Sequence, residues 1–462
     1  MAIEERTLHD ELLATLELKD EVKLARLLEH ARAADIAESF NLLGDEERSR
    51  VLFALPPQTA AEVVTMLDDA VRSDVVDELD TEALTEIVSN LAPDDAADVL
   101  GELTEEQADQ ILENLQDEQS EQIEELLEYD EQTAGGIMTP DVTALPATAT
   151  VAEAVEHVRQ AKTDEDLNEI YVVDDQKRVV GTIPLRKLVT SRLSTRLADI
   201  ADRHPVVVSV TDDQETVVQI IRKYDAAEAA VVDSKGRLVG RITHDDVLDV
   251  AAEEAEEDVL RMAGTDAAEL ETSSVLRAAR VRLTWLLPSM LGMLLSASVL
   301  GISKTAFSVV LFGALVLFVP MIGAIGGNSG IQTATVIVRG FATGDLGSTR
   351  LARAIAREGR IALVMAPISG LAAWALARIF LPMLERLEGV VEGAPQPGAV
   401  AQAVGMAMFV AILVSATLGI SLPFTFRKLG VDPAIASGPL VTTVNDVISV
   451  AIYMLIGLVL VR

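Results

Sequence analysis

Apolar positions along this chain follow three different rhythms. Leucine recurs every twelve residues, at positions 43, 55, 67, 79, 91, 103, 115 and 127. Eight residues after each of the first seven stands a β-branched side chain: Val51, Val63, Val75, Ile87, Val99, Ile111 and Ile123. Helix-start signals lie between them, such as Pro93-Asp94-Asp95 and Thr104-Glu105-Glu106. A short helix plus a turn cannot bury its apolar face alone, so these units are expected to stack into a superhelix. The second rhythm is a duplication: residues 171–183 resemble residues 230–242 at a constant offset of 59. Each copy predicts strand, turn, strand, then a helix from about Leu185 or His244, with helical patterns ahead at Val151–Gln160 and Thr216–Tyr224.

The third rhythm is the loss of charge. Arg282 and Lys304 bracket 21 uncharged residues, enough for one membrane span at about 1.5 Å per residue. The next uncharged run, Thr305–Val338, has 34 residues, too many for one helix, and is expected to break at Gly326-Gly327-Asn328-Ser329-Gly330. Ile361–Ala377, Gly393–Phe426 and Pro433–Val461 supply a third, fourth and fifth span. The polar, acidic start, Met1-Ala2-Ile3-Glu4-Glu5-Arg6, does not read as a signal peptide.

Charge divides the chain in the same place. Residues 1–270 hold 65 acidic and 23 basic side chains, and residues 271–462 hold 8 and 14. An overall charge of −36 disfavours nucleic acid as a partner. The absence of cysteine removes disulfides, thiolate metal sites and thiol nucleophiles. The five histidines, 9, 30, 157, 204 and 244, all lie in the acidic half and form no hydrolase or zinc pattern, so no enzyme is expected. Basic residues gather before span one (Arg277, Arg280, Arg282), between spans two and three (Arg339, Arg350, Arg353, Arg357, Arg360) and after span four (Arg427, Lys428). The positive-inside rule then puts the acidic half in the cytoplasm of a multi-pass inner-membrane protein and the C-terminus outside.

Asp446 is the carboxylate that stands out in this half. A charge at mid-helix costs about 2.5–3.5 kcal/mol on insertion scales and is kept for a pathway or a partner. No basic residue lies at comparable depth in any span, and Thr442, Thr443 and Asn445 offer oxygen ligands of the kind a hard cation takes. A structural hydrogen bond is the alternative. Pro423, Pro433 and Pro439, with Gly430 and Gly438, favour irregular backbone whose carbonyls line a cavity. Glu358 is a second candidate, with a solvated charge among arginines as its plainer reading. In the acidic half, Asp246, Asp249, Glu253 and Glu257 recur at helical spacing and make one negative stripe, destabilising unless cations screen it. A solvated surface, or the acidic surface of a high-salt organism, is the competing account.

The duplicated α/β units resemble a pair of cystathionine-β-synthase (CBS) domains. Nucleotide-binding CBS units carry a Ser/Thr and an Asp three residues apart after the second strand. Thr243 and Asp246 match that pattern in the second copy, and Pro184 and Lys187 depart from it in the first. The CBS pair, Ala134-Gly135-Gly136-Ile137-Met138-Thr139-Pro140, Gly327-Asn328-Ser329-Gly330-Ile331-Gln332, and the stretch from Asp432-Pro433-Ala434 to Asn445-Asp446 together resemble the MgtE family of magnesium channels/transporters. The order of parts agrees along nearly the whole chain.

That resemblance implies a multidomain fold. It comprises an all-α acidic helical-repeat N domain (1–133), an α/β tandem CBS pair (134–199 and 200–250), a connecting plug helix (251–276) and a five-helix transmembrane domain (277–462). It implies a homodimer that takes up Mg²⁺ and is gated by cytoplasmic Mg²⁺, with ATP as a further candidate ligand of the CBS pair. Pore residues carry over to Asp446, Thr442 and Gly438. Sensor carboxylates carry over to Glu62, Asp94, Asp98, Asp225, Asp246, Asp249, Glu254, Glu257 and Asp258. Ser449 stands where the family often has glycine. Transport of Co²⁺, Mn²⁺ or Ca²⁺, or a membrane-tethered receptor without transport, are the alternatives; the absence of Cys and of intramembrane His disfavours softer metals.

Overall fold

A computed structural model describes residues 2–160, 167–269, 274–343, 348–388, 395–436 and 438–461, in two compact units that meet within one helix after Glu254. The first unit begins with helices α1 (Ala2–Glu17), α2 (Glu21–Leu28), α3 (Ala33–Phe40), α4 (Asp45–Ala54), α5 (Pro57–Thr65), α6 (Asp69–Glu78), α7 (Thr81–Val88), α8 (Pro93–Gly101), α9 (Glu105–Leu112) and α10 (Asp117–Leu127). From α2 on, every helix starts twelve residues after the last, so the repeat begins earlier than the leucine ladder shows. Local chemistry sets these starts: Pro57 and Pro93 stand in the first turns of α5 and α8, and Asp80 accepts the amide of Ala83 at the head of α7 (2.9 Å). Helices pack two apart in sequence, α3 on α5, α5 on α7, α7 on α9, and α2 on α4 on α6. All seven β-branched positions of the repeat are buried, forming the continuous core that single units lack.

The α/β pair follows: β1 (Ala144–Pro146), α11 (Val151–Gln160), β2 (Glu169–Val173), β3 (Val179–Pro184), α12 (Leu185–Thr190), α13 (Leu197–Ile200), β4 (Val207–Ser209), α14 (Gln214–Tyr224), β5 (Glu228–Val232), β6 (Leu238–Thr243) and α15 (His244–Ala263). Each copy is a three-stranded sheet, β1-β2-β3 or β4-β5-β6, with a parallel and an antiparallel pairing. Both antiparallel pairs carry an irregularity at equivalent places, Val172/Val173 and Val231/Val232. The segments ahead of each copy are exchanged. Thr139, ahead of β1, bridges Arg241 on β6, while Asp202, ahead of β4, bridges Thr182 on β3. Gly240 and Gly181 admit those crossing segments, since a methyl group at either would collide with Thr139 or Asp202 backbone. Residues 134–139 therefore pair with the second copy, which gives the Ala134–Pro140 motif its structural reason.

The second unit holds the C-terminal end of α15, then α16 (Val275–Ser303), α17 (Val309–Val316), α18 (Val319–Ala342), α19 (Ser348–Glu388), α20 (Pro397–Lys428) and α21 (Pro439–Leu460). Five stretches are long and apolar enough to cross a membrane: Val275–Ala306, Val309–Ala342, Ala352–Leu384, Pro397–Lys428 and Pro439–Leu460. The expected break at Gly326–Gly330 is not there. α18 runs unbroken through those residues, and the second span is interrupted instead at Leu317–Phe318, ahead of Pro320. Tyr453 stabilises that interruption by donating its hydroxyl to the Leu315 carbonyl at 2.9 Å. α20 is the most enclosed span and packs on α18, α19 and α21. α16 leaves Leu286, Leu287, Met290, Leu291 and Leu294 exposed, a surface suited to lipid or to another copy.

Candidate ion site, strap and sensor carboxylates

The glycines of α18 form a shallow groove, and α21 lies in it running the opposite way. A methyl group at Gly323 would stand 3.0 Å from Oδ1 of Asp446, and one at Gly326 would stand 2.9 Å from Nδ2 of Asn445. Gly327 meets Thr442, and Gly330 meets Val441, at 2.8 and 2.7 Å by the same measure. On α16, Gly292 leaves no room for any side chain beside Thr443. The Gly-Gly-Asn-Ser-Gly run thus brings two backbones close at the depth of a half-buried carboxylate. Thr442 and Thr443 spend their hydroxyl protons on the carbonyls of Gly438 (3.0 Å) and Pro439 (2.7 Å), one turn back. Their oxygens keep lone pairs for an ion or its waters.

Asn445 behaves differently from the sequence expectation. Its side chain is fully buried, and its Oδ1 accepts from Ser415 on α20 and from Ser449 (3.1 Å). It faces protein, so its carbonyl oxygen is not offered as an ion ligand. Glu358 is buried on α19 rather than solvated.

Gly438, buried just ahead of α21, is covered by the backbone carbonyl of Met262 at the end of α15. Gly264, with φ +85°, turns the chain there and packs on Pro439. Arg261 donates to Asp432 Oδ2 (2.6 Å), pairs with Glu257 one turn back and approaches Asp266 (3.6 Å). Asp432 also caps the Ala434 amide with Oδ1 at 2.8 Å. Glu269 accepts from Nε of Arg282 on α16 at 2.9 Å, and that bond, helped by Thr265, holds its carboxyl down to about 2. Residues 255–269 are therefore a strap tied to the entry of α21 and to α16. The Glu257–Arg261 spacing of four residues was the one sequence signal for it. Ser437, part of the motif here, lies outside the described residues.

The remaining predicted residues are dispersed. Glu62 on α5 and Asp225, the left-handed cap of α14 at φ 51°, are exposed. Asp94, on the first turn of α8, is half-buried, and Asp258 lies half-buried on α15. Glu254 accepts from the buried Gln214 at 2.7 Å. Asp249 is exposed, and its carboxyl is raised by partial desolvation and by Asp245. Among the described residues no three His, Cys, Asp or Glu side chains converge as a metal-binding set. The nearest approach to one surrounds Asp98. Asp98 is exposed on α8, and although Arg72 opposes the effect, desolvation with Asp95, Glu131 and Glu253 pushes its carboxyl up to about 7. A cation beside it would relieve the same repulsion that a proton relieves.

A pH prediction follows, with a definite sign. Asp98 binds its proton more tightly folded than unfolded, so its favourable contribution is complete below about pH 4 and is lost as pH rises through about 7. In divalent-free buffer, Asp98→Asn should raise the melting temperature of the full-length protein near pH 8 by about a degree, since solvent screens the exposed side chain, and leave it unchanged near pH 4. Millimolar Mg²⁺ should recover stability in the wild type and much less in the variant. Equal melting curves across that window would show that Asp98 is not under this strain.

Thr243 and Asp246 find each other. Asp246 Oδ2 accepts from the amide (3.1 Å) and hydroxyl (2.5 Å) of Thr243, capping α15. Burial raises the Asp246 carboxyl and those two bonds oppose the rise. The corresponding Pro184 makes no side-chain cap on α12. A cleft of about 510 Å³ opens on that other half, lined by Lys187, Asp199, Asp202, Arg203 and His204. Neither Thr243 nor Asp246 lines it.

Comparison with known proteins agrees with this layout. A family model described as a divalent cation transporter matches residues 319–456, one for the MgtE intracellular N domain matches 31–132, and the CBS model matches 134–194 and 197–253. The magnesium transporter MgtE of Thermus thermophilus is 36% identical over 334 residues, covering 71% of this chain and 70% of that protein. The protein of the same name from Enterococcus faecalis is 35% identical over 341 residues, covering 73% and 71%. Among solved structures, the cytosolic domain of the Mg²⁺ channel MgtE in complex with ATP aligns with 52% of this chain and 99% of that one. It does so at a TM-score of 0.50 and 35% identity.

Proposed function

The chain belongs to the MgtE family of magnesium transporters, and on that premise we propose that it conducts Mg²⁺ across the inner membrane past Asp446. The observation that carries the assignment to this residue is the Asp446 carboxylate laid against the glycine groove of α18, with the Thr442 hydroxyl one turn away and the strap residue Met262 over Gly438. Mg²⁺ dehydrates reluctantly and keeps several waters, so a pore need not enclose it with protein oxygens. In a homodimer, two Asp446 side chains facing one axis hold a hydrated divalent ion and reject monovalent ions by charge. The N domain and CBS pair lie in the cytosol. The C-terminus lies outside, an orientation supported by the Arg339 and Arg427–Lys428 clusters at the ends of α18 and α20. Its membership of a transporter family supports reading the protein as a transporter rather than an enzyme.

Cytosolic Mg²⁺ closes the channel by binding among the carboxylates around Asp98 and along α15. Ion binding favours whichever arrangement holds those charges closer together, by its differential affinity for it. Reconstituted protein should move Mg²⁺ into dye-loaded liposomes and should be inhibited by millimolar Mg²⁺ on the cytosolic side. Flux of Co²⁺, Mn²⁺ or Ca²⁺ without Mg²⁺ flux would redirect the assignment to another divalent ion. No transport of any divalent ion would leave a tethered receptor.

ATP is the second ligand of this reading. A nucleotide in the CBS pair fits two candidate positions, the Thr243–Asp246 cap and the mixed-charge cleft lined by Lys187, Asp199, Asp202, Arg203 and His204. The cleft is favoured for the contacts that Lys187 and Arg203 can give phosphate oxygens, set against the two aspartates beside them, while the Thr243 hydroxyl is already engaged. Isothermal titration of ATP should weaken about ten-fold in Arg203→Ala, the loss of one charge-assisted contact. Thr243→Ala should change it little. The reverse ranking would return the site to the cap.

A further inference from the structure

We propose that Asn445 is a positioning residue that fixes the rotation of α21 and so aims Asp446, and that Ser415 and Ser449 hold it in place. The proposal rests on the reading of Asp446 as the ion-holding carboxylate and adds the device that orients it. Three observations carry it. Asn445, Ser415 and Ser449 are all buried, at 0, 0 and 1% exposure, inside a unit whose surroundings offer no water to polar groups. Both serine hydroxyls donate to the one oxygen Oδ1, one from α20 and one from the next turn of α21, so the carboxamide is gripped from two helices. The other end of the same group, Nδ2, has no hydrogen-bond partner among the described residues and lies over Gly326, where a methyl group would come within 2.9 Å of it.

The geometry turns this grip into orientation. Successive residues on a helix project about 100° apart, so a side chain fixed toward α20 dictates where its neighbour points. With Asn445 held against Ser415, Asp446 is left facing Gly323 on α18, its Oδ1 3.0 Å from where a methyl group on that glycine would sit. A leucine or valine at 445 would fill the space but would supply no directional bond from α21 to α20. A hydrogen-bonded amide in an apolar interior is costly to break, because the freed groups find no other partner. The same arrangement explains why Asn445 is not itself an ion ligand: its oxygen, packed beside Gly326, is already occupied by two donors.

The test separates aim from stability. Ser415→Ala with Ser449→Ala removes both donors while keeping small side chains and Asp446 itself. In liposomes containing the full-length protein, half-saturating Mg²⁺ should rise about five-fold for each hydrogen bond lost. The maximal rate and the elution profile in detergent should stay near wild type. Ser449→Ala alone, the milder change, should give a partial shift of the same kind and serves if the double variant does not fold. An unchanged half-saturating concentration in the folded variant overturns the proposal, whether or not its melting temperature falls, because a purely structural network moves stability alone. Asp446→Ala run beside it distinguishes the two readings. If that variant is inactive and the serine variants are unshifted, the positioning role fails and the pore assignment stands. If Asp446→Ala transports normally, the pore assignment fails and takes the positioning role with it.

Discussion

Asp446→Ala should reduce Mg²⁺ flux to that of protein-free liposomes while the protein remains folded and extractable. The side chain is half-buried on α21, and its carboxylate lies against Gly323, so truncation to alanine removes charge without a steric clash or a large void. Alanine is also the best helix former, which leaves α21 itself intact. On the proposed reading, the loss is therefore of the ion's partner and of little else. Asp446→Asn is the sharper companion: it keeps the size and the oxygen but discards the charge. If charge holds the divalent ion against monovalent competition, the asparagine variant should lose Mg²⁺ flux nearly as completely as alanine. Wild-type flux in the alanine variant would make the carboxylate a structural group. Mg²⁺ flux retained in the asparagine variant alone would shift the ion's recognition from charge to hydrogen bonding through its water shell.

How much of this was legible beforehand depended on the distance over which each signal acts. The twelve-residue repeat and the strand–turn–strand duplication are local periodicities, and the structure follows them to within a residue or two at Val151, Leu185 and His244. Five spans and the isolated carboxylate at Asp446 were readable for the same reason: charge is absent locally. The glycine run at 326–330 was readable as important and misread as a break. Glycine lowers helix propensity, and only the arrival of α21 at 2.7–2.9 Å from the places where methyl groups would sit reveals that closeness, not flexibility, is its purpose. Asn445 shows the same limit. Sequence says a carbonyl oxygen is available beside Asp446, and only the position of Ser415, thirty residues away, shows that it is spent. The exchange of Thr139 and Asp202 between the two sheets has no sequence signature, since neither segment falls within the copies that repeat. The sensor carboxylates were named by resemblance, and their spacing along the chain carries no information on which of them meet.

Neutralising four of the α15 carboxylates, with Asp246→Asn, Asp249→Asn, Glu254→Gln and Glu257→Gln together, should abolish the response to cytosolic Mg²⁺. Residues 245–258 carry eight acidic and no basic side chains on one continuous helix, and the N domain that precedes the CBS pair is itself strongly acidic. Salt screens exposed charges beyond about 8 Å at physiological strength, so monovalent ions soften this repulsion without linking the carboxylates. A divalent ion both neutralises and links them. The isosteric changes respect the bonds seen here: asparagine at 246 still accepts from Thr243, and glutamine at 254 still meets Gln214. Glutamine at 257 releases Arg261, which keeps Asp432 as its partner and so keeps the strap on the entry of α21. The variant should therefore fold, bind less Mg²⁺, lose Mg²⁺-dependent protection from protease, and conduct at cytosolic Mg²⁺ levels that close the wild type. Since the bridges vanish along with the repulsion, its resting state reports which of the two dominated. Conduction expected at all Mg²⁺ concentrations means that cation bridges, rather than relief of repulsion, hold the wild type shut. Protection and inhibition identical to wild type would reduce the stripe to a solvated surface and move Mg²⁺ sensing to the carboxylates around Asp98.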